Sequence, residues 1–210
     1  MIYLVITASL HNTLWSDYAS RREQEYRSSI EQTLQIVPAS IQPIIVENNG
    51  ERKTFLEEFV HHGNPVPVLY TKNNLMVENK AVKEMMDVQA VIKSREMQAD
   101  DWIIKLTGRY PLRTSQLLDK LIAQSSEYDA FIKFYSSKTR QFEIDDCIMG
   151  FYAARVSTIL FFRPLQLSHT SLSPEQVFAR YVRLSYVRLN EIDELGVRCI
   201  FSDTGTQMDV

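Results

Sequence analysis

The chain is poor in cysteine, glycine and histidine, and it carries no excess of basic charge. Its two cysteines, Cys147 and Cys199, stand far apart in 210 residues. That is neither a disulfide framework nor a zinc-ligand spacing, so cytosolic thiols are the default reading. With six glycines, there is no GxGxxG and no Walker-type phosphate loop, which removes the usual dehydrogenase and P-loop classes. Of the four histidines, His61 and His62 are adjacent while His11 and His169 are isolated, and none has metal-ligand spacing. Lys plus Arg number 23 against 26 Asp plus Glu, a net charge of −3, which argues against a dedicated nucleic-acid binder. No apolar run reaches the roughly 18 residues of a membrane span. The apolar start Met1–Ile6 has no basic residues before it and meets Thr7, Ser9, His11 and Asn12 too soon for a signal peptide. The expectation is a soluble, cytoplasmic chain.

What is present is the balance of an ordinary globular protein, 45% apolar and 23% charged. The length suits one domain, or one domain with a small second lobe, able to bury a core without disulfides or structural metal. The first half alternates strand and helix. Ile2–Thr7 is a continuous apolar run that suits a strand buried on both faces. Ser20-Arg21-Arg22-Glu23 has capping-box form, with Tyr26, Ile30 and Leu34 at helical spacing behind it and Pro38 closing the segment. Pro43–Val46 predicts a second strand, Lys53–His62 a second helix stopped by Gly63, and Pro67–Tyr70 a third strand. Asn79 to about Met97 has the best helical pattern, with Val82, Met85, Val88 and Ile92 as its apolar stripe. Trp102–Leu106 predicts the fourth strand.

Four strands joined by helical connections predict an α/β sheet, largely parallel and flanked by helices. Beyond it, Ser115–Ala123 predicts a helix, and Ala130–Tyr135 and Cys147–Ala153 are apolar stretches separated by a polar loop. Ser173-Pro174-Glu175-Gln176 is a helix start, and Val197–Phe201 is a late strand before a frayed polar tail. The chain reads as a single domain, 1–210, whose pattern changes between a first half, 1–112, and a second, 113–210.

In an open α/β sheet, ligands bind beyond the carboxyl ends of the parallel strands. Those exits are Thr7-Ala8-Ser9, Glu47-Asn48-Asn49-Gly50, Lys72-Asn73-Asn74 and Lys105-Leu106-Thr107-Gly108-Arg109-Tyr110. They are small or polar, and two carry cations. Such a rim can hydrogen-bond a base and ribose while Lys and Arg neutralise phosphates. Polar exits are equally how surface loops look.

Two stretches carry a resemblance: Asn79-Lys80-Ala81-Val82-Lys83-Glu84-Met85-Met86-Asp87 followed by Asp100-Asp101-Trp102-Ile103-Ile104-Lys105-Leu106-Thr107-Gly108-Arg109-Tyr110, and Cys147-Ile148-Met149-Gly150-Phe151-Tyr152-Ala153. They resemble GT-A-fold glycosyltransferases of large DNA viruses and of capsule or lipopolysaccharide gene clusters. The nearest likeness is to the chlorella-virus glycosyltransferase domain associated with major-capsid-protein glycans. The resemblance implies a mixed, mostly parallel GT-A sheet and transfer of a hexose or deoxyhexose from a UDP-sugar to a glycan or glycoprotein acceptor. It places Thr7, Ala8 and Ser9 at the uridine, Asn48 and Asn49 against base or ribose, and Lys80 and Arg22 near the diphosphate. Lys80 would act there together with backbone N–H groups at a helix N-terminus.

The group resembled shares a strand ending Lys-hydrophobic-(Thr/Ser)-Gly-Arg-Tyr, whereas typical GT-A enzymes of the wider superfamily end their fourth strand in Asp-x-Asp, which holds a divalent metal against the diphosphate. Here Thr107-Gly108-Arg109 stands in that place. Either Lys105 and Arg109 supply the positive charge themselves, or Mn²⁺ or Mg²⁺ is held elsewhere, with Asp145, Asp146 and Asp203 as candidate ligands. Asp100-Asp101 precedes the strand and reads as a turn. Arg109 is the foremost catalytic candidate, and Asp145 and Asp146 are the candidate acids, with Glu175 behind them. Gly108 suits either a close ligand approach or a turn with positive φ. Arg180, Arg183 and Arg188 form a basic region that reads as a solvated face. Two alternatives stay open: a binding or scaffold module that keeps the fold without transfer, and a nucleotidyltransferase, which lacks its Gly-rich basic loop.

Overall fold

The computed structural model describes residues 1–10, 16–50, 53–163, 171–185, 187–200 and 206–210, with backbone alone for 16–20. Strand β1 (Ile2–Ala8) leads to helix α1 (Ser16–Ile36) and then to β2 (Gln42–Glu47). A 3-10 turn at Phe55–Glu58 and a small hairpin, β3 (Val60–His61) and β4 (Asn64–Pro65), precede β5 (Val68–Tyr70). The short α2 (Asn73–Met76) and the longer α3 (Lys80–Ser94) lead to β6 (Trp102–Thr107). Helix α4 (Gln116–Gln124), β7 (Ala130–Ile132), β8 (Phe151–Arg155) and α5 (Val156–Phe161) follow. The chain continues through α6 (Pro174–Leu184), β9 (Leu189–Glu191), β10 (Arg198–Ile200) and β11 (Gln207–Asp209).

The central sheet has the order β5-β2-β1-β6-β8-β7-β9. Strands β5, β2, β1 and β6 are mutually parallel, whereas β8 runs antiparallel to both β6 and β7. The register pairs Thr7 with Thr107, Ala8 with Glu47 and Glu47 with Tyr70. The four parallel strands therefore end together along one edge, where their exit loops must converge.

Alternation along the buried strands divides the core in two. Leu4 and Ile6 of β1 and Ile104 and Leu106 of β6 meet Tyr26, Ile30 and Leu34 of α1 and Leu117, Leu118 and Leu121 of α4. Tyr3, Val5 and Ile103 face the other way, onto Val82, Met85, Val88 and Ile92 of α3 and Phe178 and Val182 of α6. The predicted apolar stripe of α3 is thus a core face. Asn79 caps it, its side chain accepting from the Ala81 and Val82 N–H groups. Ser173 and Gln176 form a reciprocal capping box on α6. No described helix is long and apolar enough to cross a membrane.

Three expectations change. Helix α1 begins at Ser16, so Ser20 lies inside it and does not cap it. The helix expected over Lys53–His62 is replaced by one 3-10 turn, capped by the Thr54 side chain, and by the β3–β4 hairpin. His62 and Gly63 have φ of 46° and 81°, the left-handed pair that a two-residue hairpin turn requires. Gly63 therefore turns a hairpin, and the β2-to-β5 connection is not helical. The polar tail is also ordered at its end, since Gln207–Asp209 pairs with Arg198–Ile200.

Phe178 is fully buried, its ring 5.0 Å from that of Tyr152 and 5.1 Å from that of Phe162. Phe178→Ala is expected to cost about 3–5 kcal/mol through lost burial and the cavity left behind, read as a lower urea midpoint.

Candidate functional site

Two adjoining cavities lie along the edge where the parallel strands end. The smaller, of about 120 Å³, is lined by Thr7, Ala8, Ser9, Arg22, Asn48 and Asn74. The larger, of about 340 Å³, is lined by Lys105, Tyr110, Lys138, Asp146, Tyr152 and Glu175. Lys80, Glu84, Thr107 and Arg109 border both, forming the wall where the two meet.

The β6 exit supplies that wall. Lys105 and Thr107 sit on the α3 face of the sheet by strand alternation. The Lys105 ammonium, in a residue only 3% exposed, donates to Thr107 Oγ1 at 2.7 Å and pairs with the Glu84 carboxylate. Thr107 Oγ1 donates to Glu84 Oε2 at 2.9 Å. Arg109, 5% exposed, pairs with Glu25 of α1 at 3.2 Å, and its carbonyl accepts from Ser29 Oγ at 3.1 Å. Burial without partners would be costly for either cation, and both pairings answer that cost.

The β1 exit is held from α1. Arg22 Nε donates to the Ser9 carbonyl at 2.7 Å, and the Ser9 N–H donates to the Tyr26 hydroxyl at 3.0 Å. Arg22 is buried, not a solvated helix-end charge. Gly108 does not have the positive φ expected of a turn glycine. A Cβ there would lie 3.0 Å from both the Thr7 carbonyl oxygen and Tyr26 Cε1. Glycine is required by close packing of β6 on β1 and α1.

At the β2 exit, the buried Glu47 carboxylate accepts from the Leu10 N–H at 3.2 Å and from the Asn49 N–H at 3.1 Å. Asn49 is thereby turned toward Glu47 and borders neither cavity. Asn48 Nδ2 donates to Asp87 at 2.9 Å, and Asp87 also accepts from Thr71 Oγ1 and Asn73 Nδ2, each at 2.6 Å. Burial pushes the Asp87 carboxyl up to about 6 despite those three donors. The backbone N–H groups of Ala81 and Val82 accept no ligand role, because Asn79 Oδ1 already takes both. That removes two of the donors expected beside Lys80.

The candidate acids separate. Asp145 is exposed and pairs with Arg183 at 2.7 Å and Arg180 at 3.5 Å, outside both cavities. Asp146 borders the larger cavity, its Oδ1 accepting from the Cys147 N–H at 2.9 Å, and burial raises its pKa. Glu175 borders the same cavity from the first turn of α6. Asp203 and the isolated His11 and His169 lie outside the described residues. Asp101 sits at the opposite end of β6, accepting from the Gln98 N–H at 2.8 Å and from the Met1 amino group at 2.6 Å. Arg188 is paired with Asp129 at 2.8 Å, so the late basic residues are largely neutralised.

A divalent metal does not fit these residues. Among the described residues no three His, Cys, Asp or Glu side chains are grouped to hold one. The end of β6 carries Thr107 and Arg109 and no carboxylate. The nearest acid, Glu84, is bound to the Lys105 ammonium.

Sequence reasoning missed Glu25, Glu84 and Asp87, which orient the residues it did name. A signal for two of them was present. Lys80, Glu84, Asp87 and Val91 share one face of α3 by i, i+3/i+4 spacing, so charged residues interrupt a face that ends in the core.

No family model and no curated protein matches the chain. Solved structures do match it in shape. A protein from Desulfovibrio desulfuricans, provisionally named a nucleotide-diphospho-sugar transferase, superposes with a TM-score of 0.59 at 11% identity, over 91% of this chain and 80% of that one. Residues 1–349 of S. aureus TarS give 0.58 at 9% identity, over 94% and 59%. Mouse xyloside xylosyltransferase 1 gives 0.52 at 11% identity, over 91% and 85%. The chain has the fold of the GT-A nucleotide-diphospho-sugar transferases. Among its structural neighbours is thus a xylosyltransferase. The comparisons give no support to a large-DNA-virus origin or to a capsid role.

Asp87 generates a pH dependence. Between about pH 4 and pH 6 the folded chain keeps a proton on Asp87 that the unfolded chain has released, so this group's contribution to stability falls as pH rises. The loss is complete above pH 6 and amounts to about 3 kcal/mol at 1.36 kcal/mol per pKa unit. Urea unfolding of wild type and Asp87→Asn from pH 4 to 7 is expected to show the variant gaining relative to wild type across that window. Equal slopes would refute the assignment.

Proposed function

We propose that the chain is a glycosyltransferase that moves a hexose or deoxyhexose from a UDP-sugar to a glycan hydroxyl. The observation that carries this is the cleft itself. Exit residues of β1, β2 and β6 border two adjoining cavities of the GT-A fold, joined at a wall containing Lys80 and Arg109. Strand exits in such sheets are where nucleotides bind. The sequence resemblance of the Lys105–Tyr110 and Cys147–Ala153 segments supports uridine as the base, and it favours a capsid or other glycoprotein glycan as acceptor. On this reading residues 1–112 hold the nucleotide and 113–210 add the sugar and acceptor side.

In the smaller cavity, Thr7, Ala8, Ser9 and Asn48 would meet uridine, with Arg22 clamping the Ser9 backbone. Arg109 and Lys80 would meet the diphosphate at the shared wall, and Tyr110 would line the sugar's space. On an inverting course the bond between the sugar C1 and the β-phosphate oxygen breaks, and its electron pair leaves with UDP. The acceptor oxygen bonds C1, and the hydroxyl proton passes to a carboxylate. Asp146 is the carboxylate we assign. Its place in the larger cavity, and a carboxyl that burial raises above the ordinary range, suit a proton acceptor. Asp145 turns to Arg183 and is assigned no role in transfer.

The alternative, a module that keeps the fold without transfer, is favoured by one observation: Lys105 and Arg109 are already ion-paired. Calorimetric titration with UDP, GDP and CMP, followed by assay of UDP release from UDP-sugars with glycan acceptors, separates the two. We expect UDP to bind and to be released on turnover. Asp146→Asn should lower kcat by about 100-fold or more, while Asp145→Asn stays within about twofold. UDP binding without turnover on any sugar would favour the scaffold, and absence of all nucleotide binding would remove the donor-site assignment.

A further inference from the structure

We infer that this cleft takes its nucleoside diphosphate ligand without a divalent cation, the charge of the diphosphate being met by Arg109 and Lys105, which are built into the end of β6. The inference rests on the transferase reading above and concerns how that site carries charge.

Three observations converge. First, both side chains are buried and fixed. Lys105 is anchored by Glu84 and Thr107 from the α3 side, and Arg109 by Glu25 from the α1 side. They belong to opposite layers of the fold, yet both border the larger cavity, and Arg109 borders both cavities. Fixed positive charge in a site shielded from water attracts an anion far more strongly than a surface lysine does. It repels a metal ion for the same reason. Secondly, a guanidinium presents a planar fork that matches two phosphate oxygens, which suits Arg109 to a diphosphate bridging the two cavities. Thirdly, the acids that border the cleft are not arranged as a ligand set. Glu84 is taken by Lys105, while Glu78, Asp146 and Glu175 belong to no grouping of three potential ligands among the described residues.

Three further cations around the cleft, Lys80 and Lys138 exposed and Lys83 half-buried, extend the same arrangement. Lys80 borders both cavities, Lys138 borders the larger, and Lys83 borders the smaller with its ammonium donating to Asn74 Oδ1 at 2.6 Å. A diphosphate entering between them would meet positive charge from α3, from β6 and from the loop before β8. In the ligand-free chain Glu25 and Glu84 occupy the two buried cations as counter-ions. The diphosphate would share those cations or displace the carboxylates.

The test is titration of the whole chain with UDP in EDTA and, separately, in Mn²⁺, with uridine as the phosphate-free control. We expect UDP affinities that agree within about twofold between the two conditions. Arg109→Gln should weaken UDP binding by about tenfold or more in both conditions, the effect of losing hydrogen bonds from a charged donor. Uridine, followed by saturation-transfer NMR, should bind wild type and variant alike, which also reports that the variant is folded. UDP binding that appears only with Mn²⁺, or tightens more than about tenfold with it, overturns the inference and leaves the transferase reading standing. Absence of UDP binding in both conditions overturns both. Should Arg109→Gln lose uridine binding as well, Arg109→Lys keeps the charge without the fork. A folded Arg109→Lys that binds UDP as wild type does in both conditions overturns the fork, and one that regains affinity only with Mn²⁺ overturns the metal independence.

Discussion

A lysine buried in the middle layer of an α/β sandwich has to be paired, and the pairing of Lys105 with Glu84 shapes much of what surrounds it. The ammonium lies on the α3 face of β6, so the carboxylate that meets it comes from α3. Thr107, two residues further along the same strand face, completes the triangle. This contact ties the first turns of α3 to the end of β6 and so sets the width of the cleft between them. Lys80, one turn before Glu84, is placed at the shared wall as a consequence. The apolar stripe of α3 supplies the burial energy of the same packing. The charged face decides the position of the helix end relative to the strand.

The same logic repeats on the other side of the sheet. Arg109 turns toward α1 and meets Glu25, while Arg22 and Tyr26 of that helix grip the backbone of Ser9. Gly108 allows this convergence, because any side chain there would meet Tyr26 and the Thr7 carbonyl. Two helices from opposite layers thus each commit a carboxylate to a cation of one short strand exit. Buried polar groups left unpaired in this way would cost more than the pairs return. Their paired state makes the site rigid before any ligand arrives, which is the condition under which fixed charges contribute most to binding a transition state.

A third network holds the β2 side of the cleft. Asp87 gathers Asn48, Thr71 and Asn73 from three consecutive segments of the fold, linking the end of β2, the exit of β5 and the start of α2. Burial pushes its carboxyl up to about 6, so its contribution to stability is lost as pH rises toward that value. Asp146, which borders the larger cavity, is likewise raised by burial. Asp145, its neighbour in sequence, is drawn outward by Arg183. One peptide unit separates a cavity carboxylate from a surface ion pair.

Much of the scaffold was legible in the residue order. Continuous apolar runs at Ile2–Thr7 and Trp102–Leu106 suit central strands, and Asn79 followed by a stripe at helical spacing suits the start of an amphipathic helix; both form as read. The strand-exit rule then located the edge on which the cleft lies. What residue order could not convey was pairing over distance. Lys53–His62 has a helical pattern, but the His62–Gly63 turn and the pairing of Val60–His61 with Asn64–Pro65 outweigh so short a local preference. Glu25, 84 residues from Arg109, and Glu84, 21 residues from Lys105, were invisible as partners because ion pairs across layers have no sequence period. Local periodicity reports which face of an element is buried, and that was enough for the fold class and for the sheet edge where the strand exits converge. Which charges meet there, and which of two adjacent aspartates turns inward, depends on the packing of separate layers, and only the folded chain decides it.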